Sequence, residues 1–213
     1  MSIAVKICGL STAEAVAAAV DGGAAMVGFV FFPPSPRAIT ADRLAALVAG
    51  VPSHIPRVGL FVDASDDEIA AVVATGGLDM LQFHGSETPG KVLRLKEHFG
   101  LPVMKAIAVA GPDDLQAARS YEPIVDKLLF DARPPKGATR PGGNALAFDW
   151  QVIQGTTWTV PWLLAGGLRL ENLAEAVRTS GAGAVDVSSG VEDAPGIKNV
   201  AKIREFLDLA ATL

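Results

Sequence analysis

Two residues of the sequence carry side chains suited to moving protons, and each lies at the end of a short apolar segment. Cys8 ends the segment AVKIC and is the one cysteine of this 213-residue chain. Asp131 lies near the end of KLLFDA. A thiolate can accept a proton and a carboxylic acid can donate one, so the two residues form a candidate base and acid pair. Cys8 could equally fill a buried gap as a small apolar residue, and Asp131 could cap a turn.

Two further polar residues suit contacts with a ligand. Arg37 follows the rigid Pro36 in the segment SPR, from which a guanidinium group could hold a carboxylate through two parallel hydrogen bonds. His84 ends the segment MLQFH. The alternatives are a solvated loop arginine and a histidine whose hydrogen bonds are satisfied within the fold.

The elements that must position these residues follow a regular alternation of short apolar segments with helical ones. Strands are predicted at AVKIC, AMVGFVF, RVGLFV, MLQFH, PVMKAIAV, KLLFDA, WLLAGG and AVDVSS. A helical segment follows each strand, and the least regular of them is near FDWQVIQ. Eight such units predict an α/β fold, a (β/α)₈ TIM barrel formed by a single domain over residues 1–213, with a doubly wound open sheet as the alternative.

In a barrel, active sites gather at the carboxyl ends of the strands, which is where Cys8, Arg37, His84 and Asp131 are expected. Two small-residue loops follow the last two predicted strands, AGGL at 165–168 and DVSSGVE at 186–192. These are the loops in which barrels hold phosphate, because glycine lets backbone N–H groups approach an anion. The expected phosphate contacts are Gly166, Gly167, Ser188, Ser189 and Gly190. The alternative is two tight turns with serine caps.

Strand alternation indicates which polar residues point into the barrel. Residues two apart share a face, so Lys6 lies beside Cys8 and Gln82 beside His84. We expect the Lys6 ammonium group to lower the pKa of the Cys8 thiol, which must lose its proton to act as a base.

Composition excludes several classes of function. The net charge of −5 argues against nucleic-acid and membrane partners. A single cysteine allows no intrachain disulfide and no paired-cysteine metal site. The longest apolar run, AAMVGFVFF, is too short to span a bilayer. We therefore expect a soluble, cytoplasmic protein without a metal site. The two small-residue loops indicate a small-molecule phosphorylated substrate. Composition does not fix the oligomeric state, for which we slightly favour a monomer.

Several segments together, in order, are similar to those of the phosphoribosylanthranilate isomerase family of tryptophan biosynthesis, from Lys6 to Lys198. They are VKICGL, SPR, VGLFVD, LQFHGSE, LLFDA, FDW, AGGL and DVSSGVEDAPGIK. The resemblance implies a cofactor-free Amadori rearrangement of N-(5-phosphoribosyl)anthranilate to 1-(2-carboxyphenylamino)-1-deoxyribulose 5-phosphate. It implies that Cys8 is the general base, Asp131 the general acid and Arg37 the contact for the anthranilate carboxylate. The glycine and serine loops match the family's phosphate site.

The sequence departs from the family at Ala38, where an aromatic residue commonly follows SPR, and at Asn144 and Ala145 before FDW. The loop at 132–143 carries Arg133, Lys136 and Arg140 without an acidic residue. It is either a solvated loop or a basic lid that attracts an anionic substrate.

Two rival functions remain. A histidine-pathway isomerase would catalyse the same rearrangement on another aminoaldose, but those relatives carry an aspartate at the first strand end, where this chain has Cys8. A non-catalytic barrel that binds a phosphorylated metabolite would have no need of Cys8 and Asp131 together.

Overall fold

The computed structural model describes residues 2–134, 137–138, 140–143 and 147–213. Eight parallel strands, hydrogen-bonded in chain order, close into a barrel. They are β1 (Ala4–Ile7), β2 (Met26–Phe31), β3 (Arg57–Phe61), β4 (Met80–Phe83), β5 (Val103–Val109), β6 (Lys127–Ala132), β7 (Trp162–Leu164) and β8 (Ala184–Val187). The predicted barrel is confirmed, because β1 pairs with β8 as well as with β2, which an open sheet does not allow.

Helices follow the strands on the outside of the barrel. The described residues form seven α-helices: α1 (Ala13–Asp21), α2 (Ala41–Val48), α3 (Asp66–Val73), α4 (Pro89–Phe99), α5 (Pro112–Ala118), α6 (Leu173–Ser180) and α7 (Val200–Ala211). Five of them begin after a side chain that accepts a hydrogen bond from the first turn, at Thr12, Thr40, Ser65, Thr88 and Asn199. These caps satisfy backbone N–H groups that have no partner inside the helix.

The predicted helix near FDWQVIQ is a short 3₁₀ helix, Trp150–Ile153. Trp150 and Val152 favour helix weakly, and Gly155, with a φ of 71°, turns the chain away shortly afterwards. A second difference is a small antiparallel hairpin, which the sequence did not indicate. Its strands are β9 (Glu192–Ala194) and β10 (Ile197–Lys198), and it follows the carboxyl end of β8.

The side chains of each strand divide between two clusters. One parity packs beneath the helices in the main core, as Ile7, Phe61 and Phe83 do. The other parity forms a separate cluster that includes Met26, Met80 and Leu129. Since alternate residues of a barrel strand point inward, this second cluster fills the barrel interior.

The amino ends of the strands are joined by ion pairs of their own. Arg57 at the start of β3 holds Asp79, just before β4, through Nε–Oδ2 and Nη2–Oδ1 contacts of 2.7 Å each. Asp126, just before β6, accepts a hydrogen bond from the Val103 N–H at 2.7 Å and contacts Lys96. In barrel enzymes this end serves stability, which makes both groups useful controls for the opposite end.

Across the part of the chain that the structure describes, no helix is long and apolar enough to cross a membrane.

Candidate active site

The carboxyl ends of the strands surround an open cavity. Cys8, Arg37, His84 and Asp131 all line it, although they come from four separate parts of the chain. The structure therefore brings together the four polar residues singled out in the sequence.

The two small-residue loops form one wall of this cavity. Gly166, Gly167, Ser188 and Ser189 line it. Gly190 does not: it lies behind the wall, where a Cβ would come within 1.9 Å of the Leu168 carbonyl oxygen. Gly190 thus lets the loops after β7 and β8 pack against each other.

Cys8 lies beside a buried ion pair inside the barrel. Lys6 Nζ is 2.8 Å from Asp186 Oδ1, and Lys6 is fully buried. Gly28 of β2 leaves the space for both groups, since a Cβ there would lie 2.9 Å from Lys6 Nζ and 3.0 Å from Cys8 Sγ. Burial lowers the pKa of Lys6, but the Asp186 carboxylate and Cys8 together raise it by a larger amount. Lys6 is therefore an ammonium group at neutral pH.

The thiol of Cys8 has a raised pKa in this cavity, contrary to the expectation from sequence. Burial raises the pKa most, and the Asp186 carboxylate adds to that effect. The ammonium groups of Lys6 and Lys198 lower it, as expected for Lys6, but do not outweigh the loss of solvation. The resting protein consequently holds Cys8 as a thiol.

Replacing Asp186 tests this balance of charges. We expect Asp186→Asn to shift the thiolate absorbance titration of Cys8 to lower pH, because the negative charge that opposes ionisation of the thiol is gone. The parent should ionise above the ordinary pH range of a cysteine. As the chain has one cysteine, the ultraviolet signal comes from Cys8 alone once Cys8→Ala is subtracted. An unchanged or upward shift would contradict the assignment.

Asp131 belongs to a chain of three polar side chains. Its Oδ2 is 3.1 Å from His84 Nε2, and His84 Nδ1 is 3.3 Å from the Gln82 amide nitrogen. Because an amide nitrogen only donates, Nδ1 accepts, and this network assigns the ring proton to Nε2, which donates to Asp131. The Ala132 N–H donates to the other carboxylate oxygen at 2.8 Å.

A loop covers the contact between Asp131 and His84. A Cβ at Gly142 would lie 2.6 Å from Asp131 Oδ2 and 2.9 Å from His84 Nε2. Only glycine allows so close an approach. Gln82, fully buried, was not among the predicted site residues, although its position two residues before His84 indicated the shared face.

Arg37 is a buried residue rather than a solvated one. Its Nε and Nη2 donate to the two carboxylate oxygens of Glu192 at 2.7 and 2.8 Å. The Nε–Nη2 edge that could have gripped a ligand carboxylate is therefore occupied within the protein. Nη1 lies against Gly143 at the cavity wall, where a Cβ would approach it to 2.5 Å.

Lys198 completes this cluster and links it to the predicted phosphate loop. Its Nζ contacts Glu192 Oε1 at 2.8 Å and donates to the Ser188 carbonyl oxygen at 2.8 Å and to Oγ at 3.1 Å. Burial raises the pKa of Glu192, but Arg37 and Lys198 lower it by more, so the carboxylate stays charged. Glu192 and Lys198 were missed as site residues, although both lie in the segment DVSSGVEDAPGIK.

Two arginines of the proposed basic lid have partners within the protein. Arg133 pairs with Asp114 of α5, and Arg140 donates to the Gly143 carbonyl oxygen at 3.2 Å. Lys136, Asn144 and Ala145 lie outside the described residues. Ala38, the other departure from the family, is exposed and does not line the cavity.

Across the described ranges, no three His, Cys, Asp or Glu side chains are grouped to hold a metal ion.

Comparison with known proteins identifies the family. The family model of N-(5'-phosphoribosyl)anthranilate isomerase matches residues 5–209. The N-(5'-phosphoribosyl)anthranilate isomerase of Paramagnetospirillum magneticum is 54% identical over 210 residues, which cover 99% of this chain and 98% of that protein. The isomerase of Paracoccus denitrificans is also 54% identical, over 97% of this chain and 96% of its own.

Solved structures agree. The phosphoribosylanthranilate isomerase of Thermotoga maritima, 32% identical, superposes with a TM-score of 0.86 over 99% of this chain and all of that one. A second structure of such an isomerase, in complex with reduced 1-(o-carboxyphenylamino)-1-deoxyribulose 5-phosphate, is 31% identical, with a TM-score of 0.83 over 99% of this chain and 100% of that one. The protein described here therefore belongs to the N-(5'-phosphoribosyl)anthranilate isomerase family.

Proposed function

We propose that the protein converts N-(5-phosphoribosyl)anthranilate into 1-(2-carboxyphenylamino)-1-deoxyribulose 5-phosphate by general acid and base catalysis. One observation carries the proposal: Cys8 and Asp131, from the ends of β1 and β6, line one cavity together with the loops after β7 and β8. The isomerase crystallised with the reduced ribulose phosphate derivative supports the same substrate class.

The acid acts first. Asp131 delivers a proton to the ring oxygen of the ribose, the bond from that oxygen to C1 breaks, and the anthranilate nitrogen supplies electrons to form a C1 iminium. To act as the acid, Asp131 enters the reaction in its protonated form and becomes a carboxylate as the proton leaves. A carboxyl group that accepts from His84 Nε2 at 3.1 Å and from the Ala132 N–H is held in one orientation, which favours transfer to a fixed substrate atom.

The base acts on the cation that ring opening creates. Cys8 acts as a thiolate, after its own proton has passed to solvent: Sγ removes the proton from C2, and the C–H electron pair forms a C1–C2 double bond that neutralises the iminium nitrogen. The resulting enolamine tautomerises to the aminoketone. A raised thiol pKa is compatible with this order, because a positive iminium close to Sγ favours the thiolate when it is needed.

The two ends of the substrate are assigned to the two polar walls. The phosphate is assigned to the backbone and hydroxyl groups of Gly166, Gly167, Ser188 and Ser189, with Gly190 supporting the loop packing. The anthranilate carboxylate is assigned to Arg37, through Nη1 at the cavity wall. His84 contributes a substrate contact beside Asp131.

Arg37→Ala is expected to weaken product binding by about ten- to a hundredfold, the effect of losing a charge-assisted hydrogen bond. The fold should survive, because Glu192 keeps Lys198 at 2.8 Å as its partner. Isothermal titration with the product and with an analogue that lacks the carboxylate measures the effect. The analogue should bind the parent and Arg37→Ala alike; a large preference for the parent would contradict the role assigned to Arg37.

The experiment that tests the function is incubation with freshly prepared phosphoribosylanthranilate while its fluorescence is followed. Loss of fluorescence well above the spontaneous rate is expected. Product binding without turnover would instead favour a non-catalytic binding barrel. A cytoplasmic location, a monomeric state and a single domain over residues 1–213 stay predictions.

A further inference from the structure

A further buried ion pair lies near the site, outside the set of residues that the proposed chemistry uses. Lys105 of β5 and Glu87, beyond the end of β4, approach to 2.9 Å between Nζ and Oε2. Their side chains are 3% and 1% exposed. A buried pair is a weak source of net stability, because both charges lose their hydration. The contacts of the pair therefore indicate what else it does.

These contacts are with the peptide groups on either side of His84. Lys105 Nζ donates to the Gly85 carbonyl oxygen at 2.7 Å and lies 3.4 Å from that of Phe83. Glu87 Oε2 accepts from the Gly85 N–H at 3.0 Å. The backbone immediately before and after His84 is thus bound to one ion pair.

The same pair ties this segment to the neighbouring strand. Glu87 Oε1 accepts from the Asp63 N–H at 2.8 Å. Asp63 follows β3 with a φ of 49°, a left-handed conformation that non-glycine residues rarely adopt. Its carboxylate in turn accepts from the Ser86 N–H at 2.8 Å. The segment that carries His84 is therefore fixed from both the β3 and the β5 side.

We infer that the Glu87–Lys105 pair positions His84, so that Nε2 stays on Asp131 Oδ2 when the acid acts. Neither residue lines the cavity, which makes them positioning residues and not catalytic ones. The inference rests on the proposed function, since it concerns the hydrogen bond from His84 that orients the acid Asp131. A displacement of His84 by a fraction of an ångström would leave substrate binding in place and slow the proton transfer.

The test is the double variant Glu87→Gln/Lys105→Met, which removes both charges and leaves neither one buried alone. The single-turnover rate is expected to fall roughly tenfold or more, with product Kd within a few-fold of the parent. The matched control is Arg57→Met/Asp79→Asn, which removes an ion pair between adjacent strands at the opposite end of the barrel. The control should lower the melting temperature and keep the rate. Equal rates in the Glu87/Lys105 variant and the parent would overturn the inference.

A second measurement keeps the test independent of turnover. The Nε2–H proton signal of His84, assigned by its absence in His84→Gln, should be visible in the parent and the control and lost to solvent exchange in the double variant. Retention of that signal in the double variant overturns the inference, whether or not the parent turns over substrate. Failure of the parent to turn over substrate counts against the proposed function alone. Should the double variant not fold, Glu87→Asp shortens the side chain by one methylene and keeps its charge, and the same rate loss is expected.

Discussion

Cys8→Ala is expected to reduce kcat by ~10²–10⁴-fold, the usual contribution of a positioned base. Alanine offers no group that can take the C2 proton, whereas ring opening and substrate binding depend on other residues. The fold should be kept, because a small side chain replaces another that is only 3% exposed beside Val30 and Leu60. The measurements are kcat and the melting temperature.

Cys8→Ser is the matched comparison, since it preserves shape and differs in acidity. A hydroxyl is far less acidic than a thiol, so serine is also expected to be slow. Near-parental turnover in Cys8→Ala would show that Cys8 is a packing residue. High activity of Cys8→Ser together with low activity of Cys8→Ala would point to a hydrogen-bonding role for Cys8.

Asp131→Asn is expected to lower kcat by ~10² or more while product affinity stays within a few-fold of the parent. The amide keeps the size of the carboxylate but has no proton to transfer to the ring oxygen. Its oxygen can still accept from the Ala132 N–H, and His84 can present an unprotonated Nε2 to the amide nitrogen by changing tautomer, provided that the Gln82 amide turns its oxygen towards Nδ1. Measuring kcat, product Kd and the melting temperature separates catalysis from structure.

The control for this variant lies at the other end of the same strand. Asp126→Asn changes the charge of a carboxylate that holds the Val103 N–H and Lys96 at the amino end of β6. It should reduce stability and leave kcat near the parental value. If Asp131→Asn kept normal kcat and normal melting, Asp131 would not be the acid.

Local patterns were sufficient to predict the strands and the polar residues at their ends. All eight strands were predicted within a few residues because each is a short apolar segment bounded by turn residues, and parity indicated that Lys6 and Cys8 share a face. Parity and strand order placed His84 and Asp131 at the same end of the barrel, but their contact across β5 was not predicted.

Pairings between distant segments, and the balance of opposing charges, could not be predicted from local patterns. Arg37 meets Glu192 across 155 positions of the chain, through a hairpin too short to show a strand pattern. Burial and the Asp186 carboxylate raise the pKa of Cys8, whereas the ammonium groups of Lys6 and Lys198 lower it. The direction of the net shift depends on their positions in the folded protein. Lys105 and Glu87 carry no motif; their role is visible only in the peptide groups that they contact.

Because Cys8 is the one cysteine of the sequence and lines the cavity at the carboxyl ends of the strands, a thiol-specific reagent can modify the protein at one position only. An electrophile that carries a phosphate group and an aromatic carboxylate should attach once per molecule. Intact mass then counts the fraction of molecules with an occupied site, without a radioactive ligand or a second, mutated thiol. The same uniqueness ties oxidation of cysteine to one atom: conversion of the Cys8 thiol to a sulfinic acid should abolish turnover in proportion to the modified fraction of Cys8, read by peptide mapping because the four methionines also take up oxygen.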